Sequence, residues 1–90
     1  MSEETVIFIG NKPFMNYVTA SMLQFNNGSG MITFKARGKH ISRCVDVVEV
    51  LRNKFMSETK LNGIQIGSEE VKSKDGRNLK VSTIEIQLKK

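Results

Sequence analysis

A run of β-branched and apolar residues, Thr5-Val6-Ile7-Phe8-Ile9, is stopped by Gly10 and followed at once by a proline, Pro13, and this punctuation confines the fold more than any other feature. The run reads as a strand buried on both faces that turns directly into a helix. Pro13 fits the first position of that helix, in which Phe14, Val18, Met22 and Phe25 recur at spacings of three and four before Asn26-Asn27-Gly28 ends the pattern. Met31-Ile32-Thr33-Phe34 reads as a second strand running into Lys35-Ala36-Arg37-Gly38. If the two strands pair in parallel, the crossover between them is right-handed, and the loops beyond their carboxyl ends lie side by side.

Ile41, Cys44, Val45, Val48, Leu51 and Phe55 mark a second amphipathic helix, and Val47 and Val50 add an apolar margin expected to face a partner. Leu61 to Val71 and Leu79 to Leu88 read as two strands joined through Ser73-Lys74-Asp75-Gly76-Arg77, where Asp-Gly signals a hairpin. In the last strand the apolar alternation Leu79, Val81 restarts at Ile84, Ile86, Leu88, which predicts a bulge or twist near Ser82-Thr83. The expected fold is α+β, a two-layer βαβαββ sandwich with a mixed four-stranded sheet and two helices on one face. A chain of 90 residues closes one modest core. Residues 1–90 are therefore expected to form a single domain, with residues 1–4 a disordered N-terminus and 72–80 a protruding hairpin arm.

Lys and Arg outnumber Asp and Glu by 14 to 9, but the distribution says more than the total. No acidic residue falls between Glu4 and Asp46, an interval that holds Lys12, Lys35, Arg37, Lys39 and Arg43. A second basic focus, Lys72, Lys74, Arg77 and Lys80, surrounds Asp75. In the parallel arrangement Gly10-Asn11-Lys12-Pro13 and Lys35-Ala36-Arg37-Gly38-Lys39 each feed a helix N-terminus, where orphan N–H groups and the helix dipole make cations mildly unfavourable. Phosphates would satisfy both, with Gly10 and Gly38 allowing close backbone approach. For any single lysine a solvated face is as good a reading; for the set an anionic partner is the better one.

Chemistry-bearing constellations are sparse. His40 and Cys44 stand four apart, but two ligands make no zinc site, so Cys44 reads as core and His40 as a helix-opening residue near phosphate. Asp46 and Glu49 could form an acid/base pair, yet a solvated stripe pairing with Arg43, Arg52 or Asn53 accounts for them more simply. No metal, no cofactor and no enzymatic activity are expected. With no apolar run approaching the roughly 20 residues of a membrane span, no basic leader and one cysteine, a soluble cytoplasmic protein without a membrane partner is expected.

The segments Ile9-Gly10-Asn11-Lys12-Pro13-Phe14-Met15-Asn16-Tyr17-Val18, Ile32-Thr33-Phe34-Lys35-Ala36-Arg37-Gly38-Lys39, Ile41-Ser42-Arg43-Cys44-Val45-Asp46, Arg52-Asn53-Lys54-Phe55 and Val81-Ser82-Thr83-Ile84-Glu85-Ile86 resemble the Alba family of archaeal chromatin proteins. The resemblance spans nearly the whole chain. It implies a fold similar to the C-terminal domain of bacterial translation initiation factor three and a chromosome-associated homodimer that binds DNA and RNA without strong sequence preference. It also implies nucleic-acid contacts at Asn11 and Lys12, at Arg37, and along the hairpin from Lys72 to Lys80, and a dimer–dimer contact at Phe55. The family usually has an acetylatable lysine where this chain has Asn11, which leaves Lys12 as the nearest candidate for that modification. Arg43 stands where lysine is common.

Together these readings give the expected function: binding of double-stranded DNA, and of RNA, through phosphate contacts from Asn11, Lys12, Arg37, Lys39 and Arg43 at the body and Lys72, Lys74, Arg77 and Lys80 on the arm. As a homodimer it would coat, bridge and compact the chromosome. Further partners implied are a paralogue in a heterodimer and a deacetylase. The alternative reading is an RNA-binding subunit of a ribonucleoprotein, or an RNA-protecting protein.

Overall fold

The computed structural model describes residues 5–90, so the N-terminus expected to be disordered, residues 1–4, lies outside the described residues. The chain runs β1 (Thr5–Phe8), α1 (Phe14–Asn26), β2 (Met31–Arg37), a 3-10 turn (Gly38–His40), α2 (Ile41–Val50), a π-helical turn (Leu51–Phe55), β3 (Lys60–Lys72) and β4 (Asn78–Lys89). The sheet order is β1-β2-β4-β3, with β1 and β2 parallel and the other pairs antiparallel. Both helices pack on one face, α1 against β1 and β2, α2 against β2 and β4, and the two helices touch each other. The expected α+β sandwich is the one observed.

The core lies between these layers. Val18 and Phe25 of α1, Cys44, Val47 and Val48 of α2, and Leu51 of the π turn meet Ile32, Phe34, Ile86 and Leu88 of the sheet. Three local expectations are corrected here. β1 is an edge strand rather than one buried on both faces, and Phe8 is 72% exposed. Pro13 caps α1 in extended geometry (φ −54°, ψ 139°) instead of forming its first turn, and the buried face is Tyr17, Val18, Ser21 and Phe25, with Phe14 and Met22 only flanking it. Val47 is fully buried and faces no partner, because α2 is covered by α1 as well as by the sheet and needs a wider apolar stripe.

The bulge considered near Ser82-Thr83 is absent: β3 and β4 pair in unbroken register from Gly63↔Gln87 to Lys72↔Asn78, and the bulge falls instead at Asn62, between Leu61 and Gly63. The apolar phase changes because β4 loses one neighbour. Its pairing with β2 ends at Arg37↔Thr83, and from Ser68↔Ser82 outward β3 and β4 form a two-stranded ribbon. Leu79 and Val81 lie on the opposite face of that strand from Ile84, Ile86 and Leu88. The ribbon closes through Ser73 N–H to the Arg77 carbonyl (2.8 Å) and Gly76 N–H to the Ser73 carbonyl (3.0 Å), with Gly76 at φ 86° taking the left-handed position.

Neither helix covers β3. Its residues Leu61, Ile64 and Ile66 pair with Leu88, Ile86 and Ile84, whose side chains are buried under the helices, so the three share that face. All three are nevertheless exposed, Ile66 by 83%. The core therefore runs out onto an open apolar row along the sheet's other edge.

Candidate nucleic-acid interface

Parallel pairing of β1 with β2 sets the two basic loops side by side, as their sequences predict. Ile9 N–H donates to the Lys35 carbonyl (2.8 Å), and the Arg43 guanidinium, from the first turn of α2, donates to the Lys12 carbonyl at 2.7 Å. Arg43 thus ties the Asn11-Lys12 loop to α2. It is half-buried, and its Nε has no hydrogen-bond partner among the described residues. Asn11, Lys12, Arg37 and Lys39 are exposed around it, and His40 occupies the position preceding α2.

Two backbone donors of this loop, the N–H groups of Gly10 and Lys12, are not open to a ligand, contrary to expectation. Tyr17, buried on α1, accepts hydrogen bonds at its hydroxyl from Gly10 N–H (2.9 Å) and Lys12 N–H (3.0 Å). A side chain at Gly10 would meet that hydroxyl at 3.6 Å, an ordinary contact, whereas Gly38 is required by its φ of 59°. The loop is therefore held in one shape, and it is side chains that it presents outward.

Acidic residues distant in sequence also reach the site. Lys35 pairs with Glu85 across the β2–β4 ladder (2.9 Å), and Arg37 pairs with Glu69 of β3. With Phe8, Gly10, His40 and Thr83 these four line an open cleft of about 770 Å³. The Lys35 ammonium lies 6.0 Å from the centre of the Phe8 ring. The acid-free interval of the sequence is thus acid-free only along the chain.

On the arm, Lys72, Lys74, Arg77 and Lys80 are all exposed and stand apart from the loops of the body. Arg77 Nε donates to Asp75 at 3.0 Å, and Lys80 has Glu70 as its register partner. The Ser73 hydroxyl, and after it the Arg77 backbone N–H, hold the Asp75 carboxyl below the usual carboxylate range. Elsewhere Glu49 pairs with Arg52 at 2.9 Å, the solvated arrangement expected for it, and burial pushes the Cys44 thiol up to about 11. Among the described residues no three metal-ligating side chains gather, and no helix is long and apolar enough to cross a membrane.

The Alba family model matches residues 5–68. The chain belongs to the Alba family. It is 51% identical over 90 residues to the DNA/RNA-binding protein Alba of Methanocella arvoryzae, covering 100% of this chain and 94% of that one. It is 48% identical over 88 residues to the protein of the same name from Thermoplasma acidophilum, covering 98% of each. The solved structure of Alba from Thermoplasma volcanium superposes with a TM-score of 0.91 at 45% identity, covering 96% of this chain and 100% of that one. ALBA1 from Trypanosoma brucei shares the fold, with a TM-score of 0.78 at 20% identity over 100% of this chain and 72% of that one.

Tyr17, Glu69 and Glu85 stand at the site without having been legible as site residues in the sequence. Tyr17 stands one residue before Val18 on α1, and only its polar end distinguished it from a core residue. Tyr17→Phe is expected to keep the fold but to cost about 1–3 kcal/mol, because two backbone donors lose their acceptor. Denaturant unfolding measures that loss, and amide exchange at Gly10 and Lys12 should speed up while exchange in β4 at the same fractional unfolding does not.

Proposed function

We propose that this Alba-family chain binds double-stranded DNA and RNA through their phosphate backbones, largely without sequence preference, as a homodimer that coats, bridges and compacts the chromosome in the cytoplasm. The observation that carries the reading is the placement of Lys12, on a loop held by Tyr17 and Arg43, beside Arg37 at the end of β2 and Lys39 in the 3-10 turn that follows. Cations held on such a frame match a regularly spaced polyanion, and contacts to phosphate carry no sequence information of their own. The relatives named DNA/RNA-binding protein Alba support both nucleic acids.

Assembly follows from the open row Leu61, Ile64, Ile66. An edge strand with an exposed apolar face is an aggregation hazard unless something covers it, and a second copy of the same surface does so symmetrically. Two arms, one from each subunit, would then extend Lys72, Lys74, Arg77 and Lys80 along the bound duplex. Phe55, 45% exposed at the end of the π turn, remains for contacts between neighbouring dimers. Exposed Lys12 is the residue of the Asn11-Lys12 pair at which acetylation would remove a charge.

Arg37→Ala tests the reading. It is expected to weaken binding to unrelated duplex sequences about equally and to reduce the salt slope by roughly one unit per subunit. Titration of several random duplexes by fluorescence anisotropy measures both, with matched DNA and RNA duplexes competing at equal salt. Failure of the unaltered protein to bind either would reject the function, and a loss confined to one sequence would reject non-specific recognition.

A further inference from the structure

Arg37 stands where the two-stranded ribbon leaves the sheet. Its register partner is Thr83 and that of Glu69 is Val81, so the ion pair between Arg37 and Glu69 skips over β4 and is not imposed by the ladder. The Lys35–Glu85 pair, by contrast, joins direct register partners. Both members of the Arg37–Glu69 pair are open to solvent, their side chains 63% and 45% exposed, and pairs this exposed add little to stability. What the contact does is occupy Arg37. A carboxylate offers the guanidinium two oxygens much as a phosphodiester offers its two non-bridging oxygens, so the two ligands compete for the same fork of donors.

We propose that Glu69 is an internal competitor for the Arg37 phosphate site and sets the affinity of the body for nucleic-acid backbone. The proposal rests on the reading that Arg37 grips phosphate. Binding there exchanges one anion for another and leaves the Glu69 carboxylate unpaired beside the phosphates, where it is repelled. The free protein thus withholds an exposed arginine from weak anionic ligands, and a backbone that engages several cations at once displaces the carboxylate.

The test is a double-mutant cycle on the full chain, reading the dissociation constant for a random-sequence DNA duplex at fixed salt. Glu69→Gln keeps the shape and removes the charge, and is expected to tighten binding on the order of three- to tenfold. Glu70→Gln, which removes the same charge one residue away on the opposite face of the ribbon, should give a clearly smaller gain. In an Arg37→Ala background the gain from Glu69→Gln should shrink to that of Glu70→Gln. An unchanged affinity for Glu69→Gln, or a gain that persists undiminished without Arg37, would overturn the competitor role while unaltered protein still binds. Absence of binding by the unaltered protein would instead overturn the phosphate-binding reading, and this inference with it.

Discussion

Raising monovalent salt from about 50 to about 200 mM is expected to weaken duplex binding roughly 10³- to 10⁴-fold. The magnitude comes from counting cations. In the proposed dimer, Lys12, Arg37 and Lys39 from each of two subunits, with one or two cations of the arms, would neutralise on the order of six to eight phosphates, each releasing about one condensed counterion. The corresponding slope of log affinity against log salt is about −5 to −7. Glu69 pulls the value toward the shallow end, since part of the charge of Arg37 is already neutralised before binding. Arg43 is left out of the count because it is half-buried and its guanidinium is turned onto the Lys12 carbonyl. Anisotropy titrations at several salt concentrations give the slope directly. A slope shallower than about −2 would mean that fewer than about three phosphates are engaged, and the two-loop interface would be wrong.

The order of elements was legible because each has its own period and its own punctuation. Gly10 and Pro13 separate β1 from α1, and Asp75-Gly76 marks the hairpin, since these residues act through local backbone geometry. Adjacency of the basic loops was also legible, because parallel pairing of β1 with β2 follows from the strand-helix-strand order. Glu69 and Glu85 were not, because their approach to Arg37 and Lys35 depends on β4 lying between β2 and β3, a non-local choice of strand order. Val47 was misplaced for a related reason. A stripe drawn for a helix packed on one surface omits the residue that a second helix covers, and α1 covers α2. The π turn over Leu51–Phe55 closes with Met56 N–H donating to the Leu51 carbonyl at 2.7 Å, a spacing of five that carries the chain out of the 3.6-residue period.

Ile66→Asp is expected to dissociate the dimer while leaving each subunit folded. Ile66 is 83% exposed in the isolated subunit and lies outside its core, meeting it only through its register partner Ile84, so a charge there has little to disturb within the chain. In a two-fold interface built on the open row of β3 the substitution acts twice, once from each side. Burial of an isoleucine contributes about 1.5–3 kcal/mol, so the loss is roughly 3–6 kcal/mol and the dimer dissociation constant rises roughly 10²- to 10⁴-fold. Sedimentation equilibrium reads the change, and Phe55→Ala, on a different surface, should leave the dimer intact while weakening cooperative packing along DNA. The consequence reaches the ligand, because a lone subunit carries half the phosphate contacts and its salt slope should fall to about half. A dimer that survives Ile66→Asp with unchanged affinity would place the interface away from β3, and an unaltered protein that sediments as a monomer at micromolar concentration would leave the apolar row to some other partner.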